Sequence, residues 1–177
     1  MGPKNPANWT ADPNDIKNLL QFFYDNRSRA GEGGNWDKTL LNEAAVYMAS
    51  LGEPKKGGPK TPQSIETKWR EIRKLYEYIL QVKQKRYIGA SGWTYTEEGG
   101  FNVTDEDREA WKDFVKAHPH FKPFATSGWE HFQKVDDIVP SQARGRFVYN
   151  PAATQSTPAP PPTTSLTPPP VNSTKAS

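Results

Sequence analysis

Apolar residues in the first half of the chain recur at intervals of three and four, the spacing of one buried face on an α-helix. A first helix is predicted to begin after Asp12, which can cap it, with Pro13 in the first turn and an end before GEGG at 31–34. A second helix is predicted from about Asp37 to near Gly52. The expected inward residues are Ile16, Leu19, Leu20 and Phe23 in the first helix, and Leu40, Leu41, Ala44, Ala45 and Met48 in the second.

The stretch TPQSIETKWREIRKLYEYILQVKQKR, residues 61–86, has the most regular pattern of all and predicts a third, longer helix capped by Thr61. Its apolar residues form one inward stripe, which consists of Ile65, Trp69, Ile72, Tyr76 and Ile79. Because successive side chains are 100° apart, a polar row is expected on the opposite side. That outward row consists of Gln63, Thr67, Arg70, Lys74 and Gln81.

After a glycine-rich connection, Thr104 and Asp107 resemble a capping box that opens a fourth helix, and Pro119 ends that helix. A short last helix is predicted from Trp129 to Ile138. No stretch shows the sustained alternation of a strand, so the fold is predicted to be all-α. Residues 149–177 are rich in Pro, Ser and Thr with few large apolar side chains, and this composition predicts a disordered tail.

The charge is distributed unevenly along the chain. The formal net charge is +3, but residues 54–90 contain ten Lys or Arg against three Glu, a net +7, and the remainder sums to −4. This window includes the third helix and the preceding loop lysines Lys55, Lys56 and Lys60. A local basic excess of this kind is typical of a surface that binds an anionic partner.

Several kinds of chemistry find no support in the residues. The chain has no cysteine, which excludes thiolate metal sites and cysteine nucleophiles and favours an intracellular compartment. No signal segment, membrane span, phosphate-binding loop or nucleophile motif is present, and the three histidines lack metal-ligand spacing. We therefore expect a soluble protein that is not an enzyme and needs no metal or cofactor. Most of the six tryptophans are expected in the core.

The three helical stretches together resemble a Myb/SANT-like DNA-binding domain, in the long variant of plant and fungal proteins related to transposon-encoded Myb-like factors. The resemblance rests on NWTADPNDIKNLLQFFYDNR, GNWDKTLLNEAAVYMA and KTPQSIETKWREIRKLYEYI. The following residues, SGWTYTEEGGFNVTDEDREAWKDFVKAHPHFKPFATSGWEHFQKVDDI, are similar to that variant's C-terminal extension. By position, Trp9 and Trp69 match the first and third core tryptophans, and Trp36 matches the aromatic before the second helix. Leu41 stands where the family usually has the second-helix tryptophan.

The resemblance implies a three-helix helix-turn-helix unit over residues 8–88, a helical extension packed on it over 89–148, and the tail at 149–177. Trp9, Trp36, Leu41, Trp69 and Trp111 are then core residues. The third helix would enter the major groove of double-stranded DNA and read bases with its outward row, while Lys55, Lys56 and Lys60 contact the phosphate backbone.

The alternative comes from Glu66, Glu71 and Glu77, which lie in the same helix and would repel phosphate. SANT domains with an acidic third helix bind histone tails or other proteins, so a protein-interaction module is the second interpretation. In either case the resemblance implies a nuclear, transcription-factor-like or transposon-derived accessory protein, with chromatin or a transposase-like protein as a further partner.

Overall fold

A computed structural model describes the chain from residue 5 to residue 139, and this part is all-α, with isolated β-bridges as its only extended pairing. The α-helices of this part are α1 (Asn14–Asp25), α2 (Lys38–Ser50), α3 (Pro62–Lys83), α4 (Arg108–Ala117) and α5 (Phe132–Ile138). Short 3-10 helices occur at Arg27–Arg29, Glu32–Gly34 and Pro119–Phe124. The predicted all-α class is confirmed for these residues.

The first three helices begin at, or one residue after, the starts that the sequence predicts. The carboxylate of Asp12 accepts the backbone N–H of Asn14 at 2.9 Å, with Pro13 already in helical conformation. The Asp37 carboxylate accepts the N–H of Leu40 at 2.7 Å, and the Thr61 hydroxyl accepts that of Ser64 at 3.2 Å.

The last two helices begin three residues later than predicted. Thr104 donates both its N–H and its hydroxyl to the Asp107 carboxylate, at 3.2 and 2.7 Å. The residues between them form a turn, and α4 starts only at Arg108. Similarly, Trp129 begins a turn closed by the N–H of Phe132, where α5 starts. In both places the turn preceding the helix was counted as its first turn, and neither helix has a side-chain hydrogen bond at its N-cap.

The helices pack around one continuous apolar core. Helix α2 packs on α1 and α3, α5 packs on both α1 and α3, and α4 packs against Pro119–Phe124. A hydrogen bond of 2.6 Å from the Tyr76 hydroxyl to the Asp136 carboxylate joins α3 to α5. The C-terminal helices therefore share their core with the first three.

An aromatic cluster lies at the centre of the first three helices. The Trp69 ring of α3 lies 5.0 Å from that of Phe23 and 5.8 Å from that of Trp36, between ring centroids. The Trp69 indole N–H also donates to the Gly34 carbonyl at 2.8 Å. Gly34 has a φ of +73°, which lets the chain turn at this point at little steric cost. The aromatic cluster thus fixes α3 against α1 and the segment before α2.

A second aromatic cluster holds α4 in place. Trp111 lies 5.0 Å from Phe101, 5.2 Å from Trp93 and 5.4 Å from Phe114, again between ring centroids. The chain passes close to itself beside this cluster, because a Cβ at Gly100 would lie 2.1 Å from the Phe124 carbonyl oxygen.

All five residues expected in the core are buried, with 3 to 9% of their surface exposed: Trp9, Trp36, Leu41, Trp69 and Trp111. The predicted disordered tail, residues 149–177, and the end of the predicted extension lie outside the described residues. No helix among residues 5–139 is both long enough and apolar enough to cross a membrane.

Replacing Trp111 tests the second cluster. We expect Trp111→Ala to lower the free energy of unfolding by about 3 to 5 kcal/mol, because a buried indole and its aromatic contacts are lost. Trp111→Phe, which keeps an apolar ring, should lower it by less. Chemical denaturation of the full chain measures both. Unchanged stability together with a loss of ligand binding would make Trp111 a contact residue instead.

Candidate nucleic-acid interface

The outer face of α3 presents most of the polar row that the sequence predicts. Gln63, Thr67, Arg70 and Lys74 are exposed, and Gln81 is half-buried. The opposite stripe of α3 is buried and consists of Ile65, Trp69, Ile72, Tyr76, Ile79 and Val82. Since the buried stripe fixes the rotation of α3, the four exposed side chains share one side of the molecule.

Each glutamate of α3 lies beside a basic side chain of the same helix. Arg70 lies 3.6 Å from Glu66 and Lys68 lies 2.5 Å from Glu71. Arg73 lies 3.8 Å from Glu77 and also donates to the Asn35 side chain at 2.8 Å. Lys74 differs from these, because it forms no ion pair with a carboxylate among residues 5–139. Its ammonium instead lies 5.7 Å from the centre of the Tyr78 ring.

The loop before α3 is fastened to the N-terminal segment. The N–H of Gly58 donates to the Pro6 carbonyl at 3.0 Å, and Ala7 forms bridges to both Gly57 and Gly58. The two segments lie too close for a side chain at Gly58, since a Cβ there would lie 2.0 Å from the Asn5 carbonyl oxygen. This contact holds the loop lysines at the N-terminal end of α3.

Lys60, which the sequence assigns to the phosphate-contacting loop, lies inside the fold. Its side chain is only 6% exposed and its ammonium lies 2.8 Å from the Asp15 carboxylate. The ammonium also donates to the Asn8 carbonyl at 2.6 Å and lies 5.0 Å from the centre of the Trp9 ring. A buried ammonium with these partners joins the N-terminal segment to α1 and cannot reach a phosphate, so Lys60 is corrected to a structural residue.

The other two loop lysines remain on the surface. Lys55 is 63% exposed and lies 2.8 Å from the Asp12 carboxylate. This contact, followed by the N–H of Asn14, holds the pKa of Asp12 below its usual value. Lys56 is exposed and lines a groove between the N-terminal segment and the first half of α3. Gln63 and Thr67 line the same groove, so three of the predicted contact residues lie together.

A cluster of tyrosine and histidine side chains continues the outer face of α3 past Lys74. The His120 ring stacks on Tyr78 with 4.3 Å between centroids. The Tyr87 hydroxyl lies 3.2 Å from both His118 Nδ1 and His120 Nε2. Burial, followed by the positive charges of His118 and Lys74, lowers the pKa of His120 below its usual value. Among residues 5–139, no group of three or more metal-binding side chains occurs.

Sequence reasoning did not place Tyr78 and His120 on this face. Tyr78 follows Lys74 by four residues, so helical spacing alone could have placed the two side by side. His120 reaches α3 only because Pro119–Phe124 folds back onto it, and no local pattern encodes that contact.

Comparison with known proteins adds no family assignment. A scan against models of protein families, a search of curated proteins and a search of solved structures each find no match to this chain.

Lys60 and Lys55 form a matched pair for testing the loop, because each reaches a carboxylate at the start of α1. We expect Lys60→Ala to lower the free energy of unfolding by about 1 to 3 kcal/mol, since it removes a buried ammonium and leaves partly buried acceptors without their donor. Lys55→Ala breaks an ion pair whose ammonium is 63% exposed and should cost less than about 1 kcal/mol. Urea denaturation of both variants measures the difference. Equal, small effects would show that Lys60 is not a structural residue.

Proposed function

We propose that the chain binds double-stranded DNA through α3, with α1, α2 and α3 forming a Myb/SANT-like helix-turn-helix unit. The observation that carries the proposal is the exposed row of Gln63, Thr67, Arg70 and Lys74, held opposite the buried stripe of a 22-residue helix. These side chains can donate hydrogen bonds, and Lys74 has no ion-pair partner among the described residues.

The dimensions of the row suit a major groove. From Gln63 to Lys74 the helix rises by roughly 16 Å at about 1.5 Å per residue. The major groove of B-DNA is about 12 Å wide and admits one α-helix, so the row can follow a few successive base pairs.

The chemistry of the row suits recognition of bases and phosphates together. The Arg70 guanidinium can donate two parallel hydrogen bonds to guanine, and the Gln63 amide can pair with adenine. Lys74 suits a phosphate oxygen, and Lys55 and Lys56 can contact the backbone from the N-terminal end of α3. Gln81, half-buried, lies at the margin of this surface.

The glutamates of α3 reduce the attraction of this surface for DNA but do not prevent binding. The Arg70–Glu66 pair has side chains 69% and 45% exposed, at a distance of 3.6 Å. An exposed pair of this kind contributes about 0.2 to 1 kcal/mol, so Arg70 can leave it at small cost. The basic residues on the same helix also reduce the repulsion that each glutamate exerts on DNA.

The alternative is a SANT-like module that binds a histone tail or another partner protein. Its support is that the side chains of Glu66, Glu71 and Glu77 stay 45 to 60% exposed and can meet a basic peptide. Both interpretations imply a nuclear, transcription-factor-like or transposon-derived accessory protein without catalytic activity of its own, acting with chromatin or a transposase-like partner.

Arg70→Ala tests base recognition. If the guanidinium reads guanine, the variant should bind its selected duplex more weakly by about 1 to 3 kcal/mol and accept other bases at one position. Duplexes selected from a random pool with the full chain and with the variant show whether one position loses its preference. An unchanged consensus would remove Arg70 from the base contacts.

Lys74→Ala tests phosphate contact. We expect binding to weaken evenly across sequences, and the slope of log affinity against log salt to fall by about one unit. Titrations against one duplex at several salt concentrations measure the slope. Lys112→Ala is the matched control, because it removes the same charge from α4, where Lys112 pairs with Glu109. Equal slope changes in both variants would mean that only net charge matters.

A basic histone-tail peptide separates the two candidate functions. DNA binding predicts that Arg70→Ala and Lys74→Ala weaken duplex binding. A protein-binding module predicts unchanged duplex affinity and tighter peptide binding, because removing positive charge favours a basic peptide. The second result would reject the DNA-binding proposal.

A further inference from the structure

The end of the exposed row on α3 meets side chains from a distant part of the chain. Lys74 and the His120 ring both lie beside Tyr78, the ammonium 5.7 Å from its centroid and the imidazole stacked at 4.3 Å. Lys74 is exposed, and Tyr78 and His120 are half-buried, so this group is open to solvent. The surface of α3 thus continues onto Pro119–Phe124.

No negative charge of the described part balances this group. The titratable groups facing His120 are Lys74 and Tyr78 of α3, Tyr87 of the segment after α3, and His118 of its own segment. None of them is a carboxylate. Positive charge on His120 is therefore unfavourable in the free protein, and an anion that stabilises it has to come from outside this cluster.

His120 has a ring nitrogen available for such an anion. The neighbouring His118 contacts the Tyr87 hydroxyl through Nδ1, and its Nε2 faces Gly89, where a Cβ would lie only 2.9 Å away. His120 Nε2 contacts the same hydroxyl, but its Nδ1 makes no hydrogen bond within residues 5–139. Because His120 Nδ1 has no hydrogen-bond partner there and is not buried, it reaches solvent.

We propose that Lys74 and His120 together form a phosphate-binding site that extends the DNA interface beyond α3, and that His120 is protonated when the phosphate binds. The inference rests on the proposed DNA-binding function and adds a residue that lies outside the three-helix unit. Lys74 supplies a permanent charge, whereas His120 supplies a charge that depends on pH.

The sign of the pH dependence follows from the environment of His120. Its pKa is lowered in the free protein, and a bound phosphate raises it by favouring the charged form. Between these two values binding takes up a proton, so affinity rises as pH falls through that window. One linked proton changes affinity by at most about tenfold per pH unit.

The test compares duplex affinity of the full chain at pH 8 and pH 6 at constant salt. We expect tighter binding at pH 6, by several-fold to about tenfold for one linked proton, and a smaller pH dependence for His120→Gln. His131→Gln is the control, because His131 lies before α5 next to Glu130, and it should keep the pH dependence of the parent. Equal pH dependence in the parent and His120→Gln would overturn the inference, and no duplex binding at either pH would reject the proposed function itself.

A second measurement does not depend on how the variant folds. The imidazole resonances of the parent chain, titrated by NMR with and without duplex, should show a rise in the pKa of His120 on DNA binding. Inorganic phosphate at a concentration matched in phosphate should raise it much less. An unchanged pKa with bound DNA would overturn the site, and an equal rise with inorganic phosphate would assign it to free phosphate.

Discussion

The packing of Trp69 determines which face of α3 is available to a ligand. Its ring contacts Phe23 and Trp36, and its N–H is held by the Gly34 carbonyl at 2.8 Å. Turning α3 by one residue, 100°, would expose the indole and lose on the order of 1.5 to 3 kcal/mol of burial. It would also leave a buried carbonyl without its donor. The exposure of Arg70 and Lys74 therefore follows from the core, whatever these two residues bind.

The basic excess around α3 is smaller at the surface than in the sequence. Of the ten basic residues in 54–90, six pair with carboxylates of the described part: Lys55, Lys60, Lys68, Arg70, Arg73 and Lys83. Lys60 is also buried. The remaining four are Lys56, Lys74, Lys85 and Arg86, which lie at either end of α3 and in its middle. Positive potential is thus concentrated at a few points along the helix. Of these four residues, Lys74 lies beside the Tyr78 ring on which His120 stacks.

Local sequence patterns predicted those features of the fold that depend only on residues close together in the chain. Helical period and the caps at Asp12 and Thr61 gave the first three helices and the two faces of α3, because each signal lies within a few residues of its effect. The site of Lys60 depends on Asn8 and Asp15, which lie far before it along the chain, with α2 and most of α1 in between, and no spacing rule contains that pairing. The stacking of a histidine on α3 depends in the same way on how distant segments pack, whereas the turns that delay α4 and α5 are local and resemble a first helical turn in sequence.

The glutamates of α3 can contribute to discrimination between DNA sequences if the helix lies in a major groove as proposed. A carboxylate near phosphate weakens binding to every sequence, including non-specific binding, which is almost wholly electrostatic. At a site with a suitably placed cytosine, Glu66 can accept a hydrogen bond from the base amine once Arg70 has left it for a guanine or a phosphate. This hydrogen bond partly offsets the repulsion between the carboxylate and phosphate, and it forms only on the correct sequence. An exposed, easily exchanged ion pair on a recognition helix thus favours discrimination between sequences over affinity, because it penalises the wrong partner more than the right one.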